Sequence, residues 1–150
     1  MAREFLSHDT GFLEIQDRTI NYVSDAMYAV LALSAHGTPD RATETQYSHI
    51  TNECADADYA RPALSGKAIS LDTTAVKYAM SKMTFTAEGS VTGRYVYICK
   101  GTAATPQAAD RIIGHIDMTG SGDAASINGE FSYTPHSTGL FYLPRTVAAE

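Results

Sequence analysis

Between residues 61 and 143 the chain repeats one pattern. Short runs of alternating apolar and polar side chains are parted by turns of Gly, Asp, Ser and Thr. A period of two residues places successive side chains on opposite faces of a pleated strand. The 3.6-residue stripe of an amphipathic helix does not fit it. Residues 67–71 alternate with Ile69 and Leu71 on one side. Residues 82–87 send Met83 and Phe85 inward and Lys82, Thr84 and Thr86 outward. Residues 94–100 set Tyr95, Tyr97 and Cys99 against Val96 and Ile98. Residues 111–118 set Ile112, Gly114, Ile116 and Met118 against Ile113, His115 and Asp117. Residues 130–134 and 140–143 complete the set. The pattern predicts a mainly β fold, an antiparallel sandwich or barrel of about seven to eight short strands.

Outside that region the signals differ. Residues 26–33, Ala-Met-Tyr-Ala-Val-Leu-Ala-Leu, are apolar on both faces. Their length and the following His36-Gly37-Thr38-Pro39 turn favour a central, doubly buried strand. Asp25 is also placed to cap a helix there. Residues 40–58 are polar, with Tyr47, Ile50 and Cys54 as apolar anchors. These form one helical face with Thr51, so the segment is a short helix or a long loop. A loop of that length inside a domain usually has a function. Residues 1–11 read as an N-terminal arm and residues 144–150 as a C-terminal tail, extended ends of one domain spanning residues 1–150.

Charge narrows the partners. A net charge of −6 and a pI near 5.2 disfavour nucleic acid, where Lys and Arg supply most of the affinity, and anionic lipid. No apolar run is long enough to span a membrane, and residues 1–9 lack the apolar core of a secretory leader. A chain without a membrane partner and without classical export is expected. Cys54 and Cys99 match no zinc spacing, Cys99 lies in an apolar strand as a small core residue, and no disulfide is expected.

No cluster of reactive side chains emerges. None of His8, His36, His49, His115 and His136 pairs with another ligand at metal-site spacing. His115 and Asp117 share one strand face, which reads as solvated. The stretch Thr119-Gly-Ser-Gly-Asp123 lacks the following Lys and helix of a phosphate loop, so it reads as a hairpin loop. No Gly-x-Ser-x-Gly elbow singles out a nucleophile. Glu53, Asp56 and Asp58 read as a solvated acidic loop. The expectation is a protein that is not an enzyme, with no metal or cofactor. Nine tyrosines and no tryptophan suit half-wet surfaces, where the ring buries area and the hydroxyl keeps a partner.

Several pieces, in order, resemble a family of small tailed-phage virion proteins. Residues 21–33 resemble its opening strand, in which an Asp leads into an apolar run. Residues 58–69, Asp-Tyr-Ala-Arg-Pro-Ala-Leu-Ser-Gly-Lys-Ala-Ile, are similar to its Tyr-x-Arg-x-x-Leu segment and the Lys-headed strand after it. Val-Tyr-Ile-Cys-Lys-Gly at 96–101, Ile-Ile-Gly-His-Ile-Asp at 112–117, Asn-Gly-Glu-Phe-Ser-Tyr at 128–133 and Gly-Leu-Phe-Tyr-Leu at 139–143 resemble later elements. His115 departs from the aromatic usual at its position. The resemblance implies a capsid decoration or cement protein, made in the host bacterial cytoplasm and carried on the virion surface. Its expected partners are the major capsid protein and its own copies, a trimer being favoured. Head–tail connector and carbohydrate-binding accessory are the alternatives, the latter using Tyr95 and Tyr97. The residues expected at the interface are Arg3, Phe5, Leu6, Tyr47, Ile50, Tyr59, Arg61, Tyr95, Tyr97 and Arg145.

Overall fold

The structure is a computed structural model that describes residues 3–72, 75–137 and 139–144. In chain order it contains β1 (Phe5–Ser7), α1 (Asp9–Gln16), β2 (Met27–Ala32), β3 (Ala68–Leu71), β4 (Ala75–Ala79), β5 (Met83–Thr86), β6 (Val91–Gly93), β7 (Tyr95–Lys100), β8 (Ile112–Asp117), β9 (Ala124–Ser126), β10 (Phe131–Tyr133) and β11 (Phe141–Pro144). The fold is mainly β, in antiparallel sheets that do not close, so the barrel alternative is excluded. A four-stranded sheet has the order β1-β8-β7-β2. Smaller sheets have the orders β11-β4-β3, β10-β5 and β6-β9.

The four-stranded sheet is covered on both sides, because its longest strands are buried on both faces. Met27, Ala29, Leu31, Val96, Ile98 and Ile116 enter the larger core, shared with the smaller sheets. Tyr28, Val30, Ala32, Tyr95, Tyr97 and Cys99 form a second core on the opposite side. Its cover is the segment after β2, through Tyr47 and Ile50, together with Ala103. That segment is a long loop with 3₁₀ turns at Ser34–His36 and Tyr47–His49 rather than a helix.

Strand β8 breaks the alternation expected of it. The register with β7 shifts by one residue between Ile98 and Cys99, a β-bulge. Consequently Ile113 and Ile116 share the larger core while Ile112 joins the second. The extra residue is why strict period-two bookkeeping puts Ile112 and Ile113 on the wrong faces.

Strand β2 is doubly buried but ends its sheet instead of lying at the centre. Its outer edge is covered by backbone from residues 52–64. Ala29 N–H donates to Pro62 O, Cys54 N–H to Leu31 O and Leu64 N–H to Met27 O, at 2.8–2.9 Å. Burial on both faces marks covered faces, and here a loop stands in for the missing strand.

The N-terminal arm is also corrected. From Phe5 onward the chain is built into the body, with β1 antiparallel to β8 and α1 packed against it. Two glycines permit this. A Cβ on Gly114 would sit 2.3 Å from the Phe5 ring, and one on Gly11 would sit 2.2 Å from Ile112 O. Both distances are shorter than any van der Waals contact. Phe5 stacks on Phe141 at 5.4 Å, and Phe141 stacks on Tyr78 at 4.2 Å. These rings tie β1 to β4 and β11. Of the expected tail, only Pro144 lies within the described residues.

Candidate interaction surface

The densest polar chemistry lies inside, on the tyrosine side of the four-stranded sheet. His8 and His115 are buried, with His8 Nε2 2.9 Å from His115 Nδ1. His8 Nδ1 lies 2.7 Å from Glu44 O, a carbonyl that only accepts. His8 therefore carries its proton on Nδ1, and its bare Nε2 accepts from His115 Nδ1–H. Both rings are neutral in this arrangement. Burial lowers the pKa of each, that of His115 to about 4, with His8 and Arg41 adding to the effect on His115.

Next to this pair, Tyr97 O–H donates to Glu44 Oε2 at 2.9 Å, and His36 Nε2 lies 3.1 Å from Glu44 Oε1. His36 Nδ1 lies 3.0–3.1 Å from Thr51 N, O and Oγ1, and its Nε2 lies 2.6 Å from the Tyr97 hydroxyl, so the ring is held on both sides. Burial first, and then Glu44, push the Tyr97 phenol up. Every member of this network points to another member or to backbone. It fastens the segment 34–51 to β7 and β8. The solvated face expected at His115 is thus covered, because this segment folds over it.

Glu53 organises a second cluster. It accepts from Tyr47 O–H and Tyr59 O–H, both at 2.7 Å, and from Arg61 Nη2 at 3.0 Å. Arg61 Nε lies 2.6 Å from Glu53 Oε1 but off hydrogen-bonding geometry. The Tyr59 hydroxyl oxygen in turn accepts from Leu31 N–H on the edge of β2. The acidic loop read as solvated therefore contains an internal clamp at Glu53. Tyr47, Tyr59 and Arg61, expected at an interface, are brought together around Glu53 and face their own chain.

The remaining expected interface residues separate by burial. Tyr95 and Tyr97 are buried in the second core and unavailable to a partner, while the Phe5 ring is largely buried in the larger core. Arg94 lies over the Tyr95 ring and donates to Asp117, whose carboxyl it holds down at about 2. Ile50 is half-buried against the second core. Arg3 and Leu6 are exposed, and Arg145 lies outside the described residues. Both cysteines are free and buried, and burial pushes both thiols up. Among the described residues no group of three or more His, Cys, Asp or Glu could hold a metal ion.

What is open is β3. All four of its residues are exposed, and among the described residues it pairs only with β4. The register sets Ile69 opposite Tyr78 and Leu71 opposite Val76. Tyr78 is buried and Val76 packs on the core, whereas Ile69 and Leu71 are 47% and 70% exposed. The core-facing side of this sheet thus runs beyond the body, and among the described residues its last strand has nothing over it. Alternation identified Ile69 and Leu71 as one face but could not tell whether anything lies above it.

No family model, characterised protein or solved structure matches the chain.

Proposed function

We propose that the chain is a structural accessory of a tailed-phage particle, a decoration protein on the outside of the head that works by contact rather than by catalysis. The observation that carries this reading is β3, an edge strand uncovered among the described residues, with Ile69 and Leu71 on its apolar face. Folded proteins usually protect such edges with charge, proline or a covering segment, since an open edge recruits further chains. An edge left open and apolar suits a protein whose working state is an assembly. The acidic balance suits the outside of a DNA-filled shell, and the two buried polar networks stiffen the body that presents the edge.

In this reading the partners are the major capsid protein and further copies of the chain, a trimer at a local three-fold being the simplest arrangement. Several weak contacts made together would give long residence on the lattice. A head–tail connector would use the same surface and differs in copy number. The carbohydrate reading loses its platform, because Tyr95 and Tyr97 are buried.

The test is cosedimentation with purified particles that lack the protein. Wild-type protein should pellet with the heads. The double variant Ile69→Lys, Leu71→Lys should stay in the supernatant while melting at the wild-type temperature. Equal pelleting of a folded double variant would remove β3 from the interface.

A further inference from the structure

A groove of about 710 Å³ runs between β1 and β11, within the roughly 300–1,000 Å³ typical of ligand sites. Its floor is aromatic, with Phe5, Phe12 and Phe141. Arg3 and Arg41 stand on its rim, with Glu4 as the acidic counterpart. On a chain of net charge −6 two arginines against one glutamate are a local excess of positive charge, Arg41 lying also 3.9 Å from Asp9.

The wall formed by β1 is an open strand edge. Among the described residues β1 pairs only with β8. His8 N–H donates to Ile113 O, and the register pairs Leu6 with His115 and Ser7 with Gly114. In an antiparallel ladder, alternate residues turn their backbone groups to the neighbour. Leu6 and His8 therefore bond to β8, while Arg3, Phe5 and Ser7 present N–H and C=O to the other side. Two side-chain bonds mark that outward side. Arg41 Nε–H donates to Ser7 O at 2.6 Å, and Tyr133 O–H to Arg3 O at 3.4 Å. Among the described residues nothing takes the Phe5 N–H and C=O or the Ser7 N–H.

We propose that this groove accepts an extended, acidic segment of another protein, which adds to β1 as a further strand. Main-chain bonds to Phe5 and Ser7 would supply affinity. Apolar side chains of the segment would meet the aromatic floor, and its carboxylates Arg3 and Arg41. Strand addition at an exposed edge beside side-chain pockets is a recurrent mode of peptide capture. The inference is independent of the phage assignment and of β3, which lies at the far edge of another sheet.

The experiment is fluorescence polarisation with the whole chain and three labelled heptapeptides. One alternates Glu and Val, one alternates Lys and Val, and the third is the Glu–Val peptide with alternate backbone nitrogens methylated. Saturable binding of the first is expected, with both others weaker by about tenfold or more, the equivalent of about 1.4 kcal/mol. The charge-reversed double variant Arg3→Glu, Arg41→Glu should prefer the lysine peptide. Ser7→Pro removes an outward N–H and no bond to β8, so it should weaken binding without lowering the melting temperature. Equal binding of the methylated peptide would replace strand addition by simple charge attraction and overturn the proposal. So would no saturable binding, self-association that fills the groove with a second copy, or binding only by a variant ending at Pro144.

Discussion

Two imidazoles make the fold acid-sensitive. The ring of His115 titrates near 4, against 6.5 for a free side chain, and His8 is lowered with it. The unfolded chain therefore takes up protons first. The stabilisation is complete above about pH 6.5 and is lost as pH falls below that value toward 4. The groups facing the pair are Glu44, Asp9, Arg41, His36, Tyr95, Tyr97 and Asp117. Of these, Asp117 titrates near 2, so its stabilisation is lost in a separate window, below about pH 3.8. Urea unfolding at pH 7.5 and pH 5 should differ by about 2 kcal/mol, and the double variant His8→Phe, His115→Phe should flatten that slope. An unchanged slope would place the acid sensitivity elsewhere. Gly114 supplies a second residue-level prediction. Gly114→Val would drive a side chain into the Phe5 ring and Leu6 O, and chemical denaturation should show a loss of about 3 kcal/mol. The sequence placed Gly114 correctly within a strand. It could not show that β1 crosses at that point, because the contact joins residues more than a hundred positions apart.

At the scale of elements, legibility followed pattern rather than burial. Strand β2 is recognisable as a run apolar on both faces, β11 as a short apolar run, and β3, β5, β7, β8 and β10 by alternation, β3 although all four of its residues are exposed. Strands β4, β6 and β9 were not singled out, being short or weakly patterned. Helix α1 is hard to read because its eight residues expose Leu13 and bury Gly11, so Phe12 and Ile15 alone mark its inner face. The covering segments were the hardest to read, since polar residues that close over a sheet look like any other loop. The Glu53 clamp makes that cover measurable. Glu53→Ala would leave Tyr47, Tyr59 and Arg61 without their shared acceptor and loosen residues 52–64 from the edge of β2. Equilibrium unfolding should register a loss of about 2 kcal/mol, as expected for hydrogen bonds to a partly buried charge. A loss below about 0.5 kcal/mol, the level of an ordinary surface change, would show that the clamp does not hold the cover.

The whole molecule has two apolar cores with buried polar networks and, among the described residues, open strand edges at β1 and β3. Its two thiols belong to the interior. Cys54 and Cys99 should resist a thiol reagent in the folded protein, and both should react in denaturant. Rapid labelling of either in the native state would contradict the packing of its core. The edges at β1 and β3 belong to the surface, and they are what the chain can offer to others. If it decorates a phage head, those edges repeat over the lattice with the symmetry of the shell. The most direct measurement is therefore the copy number of the chain in purified particles, by quantitative mass spectrometry against the major capsid protein. The account predicts hundreds of copies in fixed ratio to the capsid subunits. A dozen copies or fewer, or none, would contradict it.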